Sequence, residues 1–397
     1  MSESKKAVEE PLITLPFTPE EYAKRVEGVR EEMERRGLDL LLISVPDNIF
    51  YLTGFQTGWL MQTFLVLALP LKGEAMWILR KTELSNARFL AKVSWVKEGY
   101  GVDDSADPIE VLASVLKQFG HQESHIGIEQ EGHYFNISFY FRLQKELSKA
   151  KLGDGSNIIE DLRRVKSEAE LRYMRQAGEI TAKALRAGID ALHEGMTDSE
   201  LASVLLATAT REGSDPMSCG PFVTTGKRSF LAHSSWVGAP VKRGDVVNTE
   251  MAAVAGRYNT PAFRVSVIGE PSDELKRLHD ASYAGLKAGL ANLGPGMTSD
   301  QGDRVVREAI AKKGLGEYFV VRAAYSIGLA FTAAWGEFHI MSIRPRDPRA
   351  LASGMCFHLV PALYKEGFGA VCCSMPIEIT EDGCRPLTSI EPKLFVR

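Results

Sequence analysis

Two stretches of the sequence are built alike: Ala187-Gly-Ile-Asp-Ala-Leu-His-Glu-Gly-Met-Thr197 and Ala288-Gly-Leu-Ala-Asn-Leu-Gly-Pro-Gly-Met-Thr298. The Ala-Gly pairs at 187–188 and 288–289, the Gly-Met-Thr triplets at 195–197 and 296–298, and the glycines at 213 and 314 all stand 101 residues apart. Three separated matches in one register read as an internal duplication. Each copy runs helix, Gly-Met-Thr, helix, Gly, with Thr197 and Thr298 placed to cap the second helix. A β-hairpin pattern follows each copy. The first is Val246–Val254 and Tyr258–Ile268 around Ala255-Gly256-Arg257, and the second is Cys356–Tyr364 and Phe368–Thr380 around Lys365-Glu366-Gly367. Two αα-ββ halves predict a pseudo-symmetric α+β domain over residues 158–397, its strands curved over a central cavity.

Upstream, the pattern changes. Residues 1–16 read as a disordered tail. Thr18 then caps a helix with Pro19 at its first position and Glu20 and Glu21 in its first turn. Tyr22, Val26, Val29 and Met33 keep one apolar face until Gly37. Short apolar runs at Leu38–Ile43, Phe64–Leu69, Ala75–Ile78, Val93–Val96 and Ile126–Glu129 predict strands, with helices near 108–119 and 136–149. Strands alternating with helices make 17–150 an α/β domain. Lys151-Leu-Gly-Asp-Gly-Ser-Asn157 has the composition of a linker.

Composition narrows the function. The 397 residues include 47 Lys and Arg against 51 Asp and Glu, a net charge of −4, which gives no electrostatic reason to expect nucleic acid or an anionic membrane. Five cysteines without framework spacing read as reduced cytosolic thiols. The polar start Met1-Ser-Glu-Ser-Lys-Lys6 offers no secretory segment. The longest apolar run, Phe64–Leu71, is far too short to span a bilayer. A cytoplasmic protein is the expectation.

Familiar catalytic motifs are absent. Gly220 to Gly226-Lys227 has one residue too many for a phosphate loop, and Arg228 where a hydroxyl must bind magnesium. Ala324-Tyr-Ser-Ile-Gly328 lacks one glycine of a nucleophile elbow. Cys372 and Cys373 are expected on opposite faces of a strand, one in the core and one on the surface. There remain polar residues in apolar surroundings. Glu250 stands in Val246-Val-Asn-Thr-Glu-Met-Ala-Ala-Val254, on a solvated face or aimed into a pocket, with composition alone favouring the first. His233 in Phe230-Leu-Ala-His-Ser-Ser-Trp236 and His358 in the second half are structural or functional. Glu337, after an aromatic-rich approach, is a solvated loop carboxylate or lines the same cavity.

Taken in order, these pieces resemble the pita-bread superfamily of aminopeptidase P, prolidase, methionine aminopeptidase and creatinase. Residues 17–150, with Asn48-Ile-Phe-Tyr-Leu-Thr-Gly54, look like the creatinase-type N-terminal domain. Residues 158–397 look like the duplicated catalytic domain, through Leu162-Arg-Arg-Val-Lys-Ser-Glu-Ala-Glu-Leu171, Gly244-Asp245, Gly354-Met355 and Thr380-Glu-Asp-Gly383. The family's metallopeptidases use five ligands in the order Asp, Asp, His, Glu, Glu. The resemblance aligns Glu250, Pro261, Tyr325, Val360 and Ser374 with them. Proline and valine offer no donor atom, and hard divalent ions need several carboxylates or imidazoles. The expectation is no metal and no cofactor.

A closer resemblance is to the ectoine hydrolase group, carried by Arg257-Tyr-Asn-Thr-Pro-Ala-Phe-Arg264, Ala324-Tyr-Ser-Ile-Gly328, Trp335-Gly-Glu337, Phe357-His-Leu-Val-Pro-Ala-Leu-Tyr364 and Thr380-Glu-Asp-Gly-Cys384. It implies a metal-independent hydrolase opening a C–N bond in a small amino-acid derivative. Glu250 would be nucleophile or base and His233, which falls where creatinase has its catalytic histidine, would be proton donor. Tyr325, Glu337 and His358 would contact the substrate, and Arg264 would hold a substrate carboxylate or brace the fold. Val265, where threonine is usual, and Phe55-Gln-Thr-Gly-Trp59, where more aromatics are usual, depart from the group's pattern. The resemblance further implies a homodimer in which the region Phe55–Thr63, with Trp59 as a specificity residue, reaches the neighbouring subunit's site. Two other readings stay open: a peptidase with an atypical metal site, and a catalytically inactive binding homologue.

Overall fold

The computed structural model describes residues 13–57, 63–132, 135–331 and 333–397. It divides into two compact units, Met1–Arg163 and Arg164–Arg397.

In the first unit the capped helix forms as its sequence dictates. The Thr18 hydroxyl accepts the Glu21 N–H at 3.4 Å, Pro19 opens the helix, and Tyr22, Val26, Val29 and Met33 are buried. A six-stranded mixed sheet runs in the order Glu98–Val102, Met76–Arg80, Leu65–Pro70, Leu40–Ile43, His125–Ile128, Lys151–Asp154. Leu65–Pro70 is antiparallel to both neighbours, and the other pairings are parallel. Helices Pro108–Gln118 and Ile137–Glu146 flank it, and their apolar side chains join the core that the strands build.

Two expectations are corrected here. Val93–Val96 is a turn, and the strand is Glu98-Gly-Tyr-Gly-Val102. Its glycines, which read as loop, admit a close neighbour: a Cβ on Gly99 would lie 2.9 Å from Leu84 Cδ1, and one on Gly101 would lie 3.3 Å from Lys81 Cα. Residues 151–157 are no free linker, because Lys151–Asp154 is an edge strand. A Cβ on Gly155 would lie 2.5 Å from Leu41 Cδ1, so this glycine serves packing rather than flexibility. The helix Ile158–Arg163 belongs to the same unit. Of the expected tail, residues 1–12 lie outside the description, while Leu15 and Pro16 pack at Gly54. The motif residue Asn48 is buried: its amide nitrogen donates to Glu129 at 2.7 Å and Glu160 at 2.6 Å, and its carbonyl accepts from Arg163 at 2.7 Å.

The second unit shows the duplication directly. Helices Glu168–Ala191 and Asp198–Arg211 recur as Asp273–Asn292 and Ser299–Ala311. Thr197 with Glu200, and Thr298 with Gln301, form matching capping boxes. Gly213 (φ +91°) and Gly314 (φ +73°) sit just past the second helices in left-handed backbone, where a side chain is strained. A Cβ on Gly188 would meet Leu205 of the next helix at 2.6 Å, and one on Gly289 would meet Leu359 of the strand Cys356–Leu359 at 2.6 Å, so each Ala-Gly pair marks a close packing contact of the first helix.

The first hairpin is long and unbroken, Val246–Ala255 against Tyr258–Val267, turning at Gly256 (φ +54°) and Arg257 (φ +68°). The second is broken. Cys356–Leu359 pairs with Met375–Thr380, while Leu363–Lys365 pairs separately with Gly369–Val371. Pro361 has no N–H to continue a ladder. The breaks at Val360–Ala362 and Cys372–Ser374 let the strands leave the sheet beside the cavity. Cys372 and Cys373 flank no strand face: both are 2% exposed, Cys372 on the cavity and Cys373 in the core, which corrects the surface expectation.

Candidate active site

In the strand Val246–Ala255 every residue is buried except Glu250, whose side chain is 14% exposed. It pairs with Phe222 on one side and Phe263 on the other. Glu250 is not on a solvated face: it lines a cavity of about 830 Å³ enclosed by the second unit. Burial pushes its carboxyl up to about 8.

His233 lines the same cavity from the loop that follows the short turn Gly226–Phe230. It is exposed, holds a left-handed backbone (φ +53°), and its ring centre is 5.7 Å from that of Phe222. Phe222 in turn contacts Trp335, with centres 4.9 Å apart. Tyr325 lines the cavity from the strand Ala324–Ser326, and its hydroxyl accepts the Trp335 indole N–H at 2.9 Å. His358, directly opposite Tyr325 in the register, is fully buried behind it, with Nδ1 2.7 Å from the Tyr325 oxygen and 3.9 Å from Glu250 Oε1. Burial, with the Arg264 charge adding to it, holds the His358 ring down at about 3, so the imidazole is neutral at physiological pH. Ser374 closes the chain, its hydroxyl 2.7 Å from His358 Nε2.

Two expected substrate contacts lie elsewhere. The Arg264 guanidinium is 1% exposed and donates to the backbone carbonyls of Phe263 (2.6 Å), Ser374 (2.9 Å) and Ile390 (2.7 Å). It braces strands from behind the cavity wall, because an alternating strand sends residue 264 to the opposite side from Phe263. Glu337 is 1% exposed and paired to the equally buried Lys166 at 2.7 Å, away from the cavity lining. The apolar run around Glu337 signalled burial, and a buried carboxylate takes a cation. Trp59 lies outside the described residues.

The cavity also uses residues that sequence reasoning passed over. Asn248 shares the Glu250 face two residues earlier, and its amide donates to Ser229 O at 3.1 Å and Ala370 O at 2.9 Å. Period two along the strand was the available signal. Cys219 is half-buried in the lining, and its thiol is pushed up by burial and the Glu250 charge. Arg322 is the one Lys or Arg among the described lining residues, as Glu250 is the one Asp or Glu. Exposed, it donates to Ser342 Oγ at 2.9 Å and forms no ion pair with a described residue. Nothing in its local sequence marks it, since it reaches the cavity through tertiary placement alone.

The donor set does not fit a pair of divalent ions. Of the five aligned ligand positions, Glu250 alone carries a carboxylate; Pro261 and Val360 carry no donor, and Tyr325 and Ser374 are engaged with His358. Among the described residues no three His, Cys, Asp or Glu side chains converge as metal ligands.

The profile of Metallopeptidase family M24 matches residues 172–381, and that of the Creatinase/Prolidase N-terminal domain matches residues 25–165. The chain is 32% identical to a protein of Halomonas elongata named ectoine hydrolase, over 97% of this chain and 99% of that one. It is 26% identical to an Xaa-Pro dipeptidase of Pyrococcus horikoshii, over 94% and 99%. The crystal structure of a prolidase from Thermococcus sibiricus superposes with a TM-score of 0.85 at 23% identity, covering 95% of this chain and 99% of that one, a likeness of fold. No helix among the described residues is long and apolar enough to cross a membrane.

Proposed function

We propose, from the premise that the chain belongs to metallopeptidase family M24 and carries a creatinase/prolidase N-terminal domain, that it is a hydrolase of non-peptide C–N bonds acting without a divalent metal. The substrate class is a small, cyclic amino-acid derivative, with an ectoine-like cyclic amidine first in line. The observation that carries this reading is Glu250: among the described lining residues one carboxylate in a largely apolar cavity, where the family's metalloenzymes would need several.

Without a Lewis acid an unactivated peptide bond is hard to open. The carbon of a protonated amidine is already electrophilic. Glu250 either accepts a proton from the attacking water or attacks that carbon itself; in the second case one C–N bond breaks with protonation of its nitrogen, leaving an O-acyl imidate that water then hydrolyses. A cationic substrate beside Glu250 favours its ionised form, offsetting the burial that otherwise keeps the carboxyl protonated. In this proposal His233, exposed on the cavity lining, returns a proton to the leaving nitrogen. Arg322 takes the role first given to Arg264, pairing with the substrate carboxylate.

The active unit we propose is a homodimer: Leu231, Val320 and Phe338 on the cavity lining are 50%, 72% and 41% exposed, an apolar rim that a second copy would cover. Sedimentation at micromolar concentration checks it, and a fully active monomer would contradict it. The reaction is tested by incubating the protein with cyclic amidines, hydantoins, lactams and guanidino acids and following hydrolysis by mass spectrometry. Turnover of Xaa-Pro dipeptides that depends on added metal, with none of the C–N substrates consumed, would overturn the reading.

A further inference from the structure

Ser374, His358, Tyr325 and Trp335 form one continuous chain of hydrogen bonds, and the position of each hydrogen in it can be worked out. The Ser374 oxygen accepts the Phe263 amide N–H at 2.8 Å and lies 2.7 Å from His358 Nε2. The Tyr325 oxygen accepts the Trp335 indole N–H at 2.9 Å and lies 2.7 Å from His358 Nδ1. Ser374 and His358 are 0% exposed, so their polar hydrogens must find partners within the fold.

A neutral imidazole carries one N–H and one acceptor nitrogen. If the hydrogen were on Nε2, the Ser374 oxygen would receive two donors. Its own hydrogen would then be buried with no acceptor, at a cost of about 1–3 kcal/mol. With the hydrogen on Nδ1 instead, Ser374 donates to Nε2 and the hydroxyl of Ser374 and both nitrogens of His358 are paired. The Tyr325 oxygen then receives two N–H bonds, from Trp335 and His358. Its own hydrogen has no acceptor left on that side and turns to the cavity that the ring lines.

We infer that His358 is held as the Nδ1–H tautomer, and that Tyr325 thereby presents its hydroxyl hydrogen to the substrate as a fixed, polarised donor. Ser374, His358 and Trp335 are the positioning residues. Two bonds received at the phenol oxygen strengthen the one it gives. Burial and the Glu250 charge raise the phenol well above its ordinary range, which keeps that hydrogen in place. When Glu250 or water adds to the amidinium carbon, the attached nitrogen loses its positive charge and gains a basic lone pair. A donor aimed there in advance stabilises the addition without reorganising. The catalytic part of this inference rests on the proposed C–N hydrolysis; the tautomer does not.

Nitrogen-15 spectra of the full chain labelled at histidine read the tautomer directly, with the His358 signals assigned by their loss in His358→Gln. The expected result is a protonated Nδ1 and an unprotonated Nε2 between pH 6 and 9, with Nε2–H appearing in Ser374→Ala. A wild-type ring protonated at Nε2 overturns the inference, and this holds even if Ser374→Ala does not fold. On a substrate from the screen, Tyr325→Phe should lower kcat about 10²–10³-fold with KM little changed. An unchanged kcat overturns the catalytic role. An Nδ1–H ring in a protein that turns over none of the C–N substrates supports the tautomer and overturns the proposed reaction.

Discussion

Tyr325 and His358 sit directly opposite each other on adjacent antiparallel strands, hydroxyl to Nδ1 at 2.7 Å with their rings edge to face. The same imidazole reaches Ser374 through its other nitrogen. Two of the five positions that align with family metal ligands, Tyr325 and Ser374, are thus tied to each other through one ring. On the proposed reading, a hydrogen-bonded chain whose members satisfy one another stands where the family's metalloenzymes would place ligands. Glu250 and Tyr325 line the cavity beside it, and the proposal makes them its acid–base pair.

Replacing Glu250 by Gln keeps the shape and removes the ionisable oxygen. Loss of the nucleophile or base is expected to lower turnover by about 10²–10⁴-fold or more. Circular dichroism should show the fold unchanged. Wild-type turnover in Glu250→Gln, on any substrate the screen yields, would end the mechanism.

The same residue sets a pH dependence. Its folded pKa of about 8 lies above the ordinary 4.5, so below pH 4.5 the group is protonated in both states and neutral to stability. Between 4.5 and 8 the unfolded chain ionises and the folded one does not. Stability is therefore lost as pH rises through that window, by a few kcal/mol in order of magnitude. Glu250→Gln should lack this fall, so the variant gains on the wild type between pH 5 and 8.5 in urea unfolding. Activity runs the other way: kcat/KM for an uncharged substrate should climb towards an apparent pKa near 8, since the reactive form is the carboxylate. Parallel stability curves for the two proteins would refute the burial argument.

Purified protein should hold no stoichiometric zinc, manganese, iron or cobalt, and chelators should leave C–N hydrolysis intact. The expectation rests on Pro261 and Val360 at ligand positions and on the engagement of Tyr325 and Ser374 with His358. Elemental analysis by mass spectrometry decides it. Two metal equivalents per chain, lost together with activity, would count against it.

The duplication was readable because its signals are local. Capping threonines, C-terminal glycines and the Ala-Gly contacts each leave a mark on sequence at fixed spacing. The broken second hairpin was not readable, because its strands exchange partners at Pro361 and at Cys372–Ser374 for reasons of tertiary fit. In the N-terminal unit, Glu98–Val102 and Lys151–Asp154 were hidden by glycines that serve close packing and imitate loop composition. At the site, Glu250 stood out as a polar residue within an apolar run, though composition favoured a solvated face, while Tyr325 and Arg264 entered only through the resemblance. Glu337 gave a similar signal for a different reason: it is a buried charge paired to Lys166, as Arg264 is a buried charge held by three carbonyls. Polarity in an apolar run marks burial, and only the partners distinguish a brace from a reagent.

That distinction is sharpest between the two arginines. Arg264 gives three hydrogen bonds, to the Phe263, Ser374 and Ile390 carbonyls, while 1% exposed. Arg264→Leu would strand those acceptors in the interior, and unsatisfied buried carbonyls cost about 1–3 kcal/mol each. Its melting temperature should fall by roughly 10 °C or more, with lost activity following lost fold. Arg322 is exposed at the cavity, hydrogen-bonded to Ser342 and lying 5.5 Å over the Phe338 ring, with no ion pair to a described residue. Arg322→Leu should leave the melting temperature within about 2 °C of the wild type, as surface changes do. For a substrate with a carboxylate it should raise KM roughly 10–100-fold, the worth of a charge-assisted hydrogen bond. The same substrate with its carboxylate converted to an amide should bind both proteins alike. If Arg322→Leu instead discriminates between acid and amide as well as the wild type does, the carboxylate is held elsewhere, and Arg322 is not its anchor.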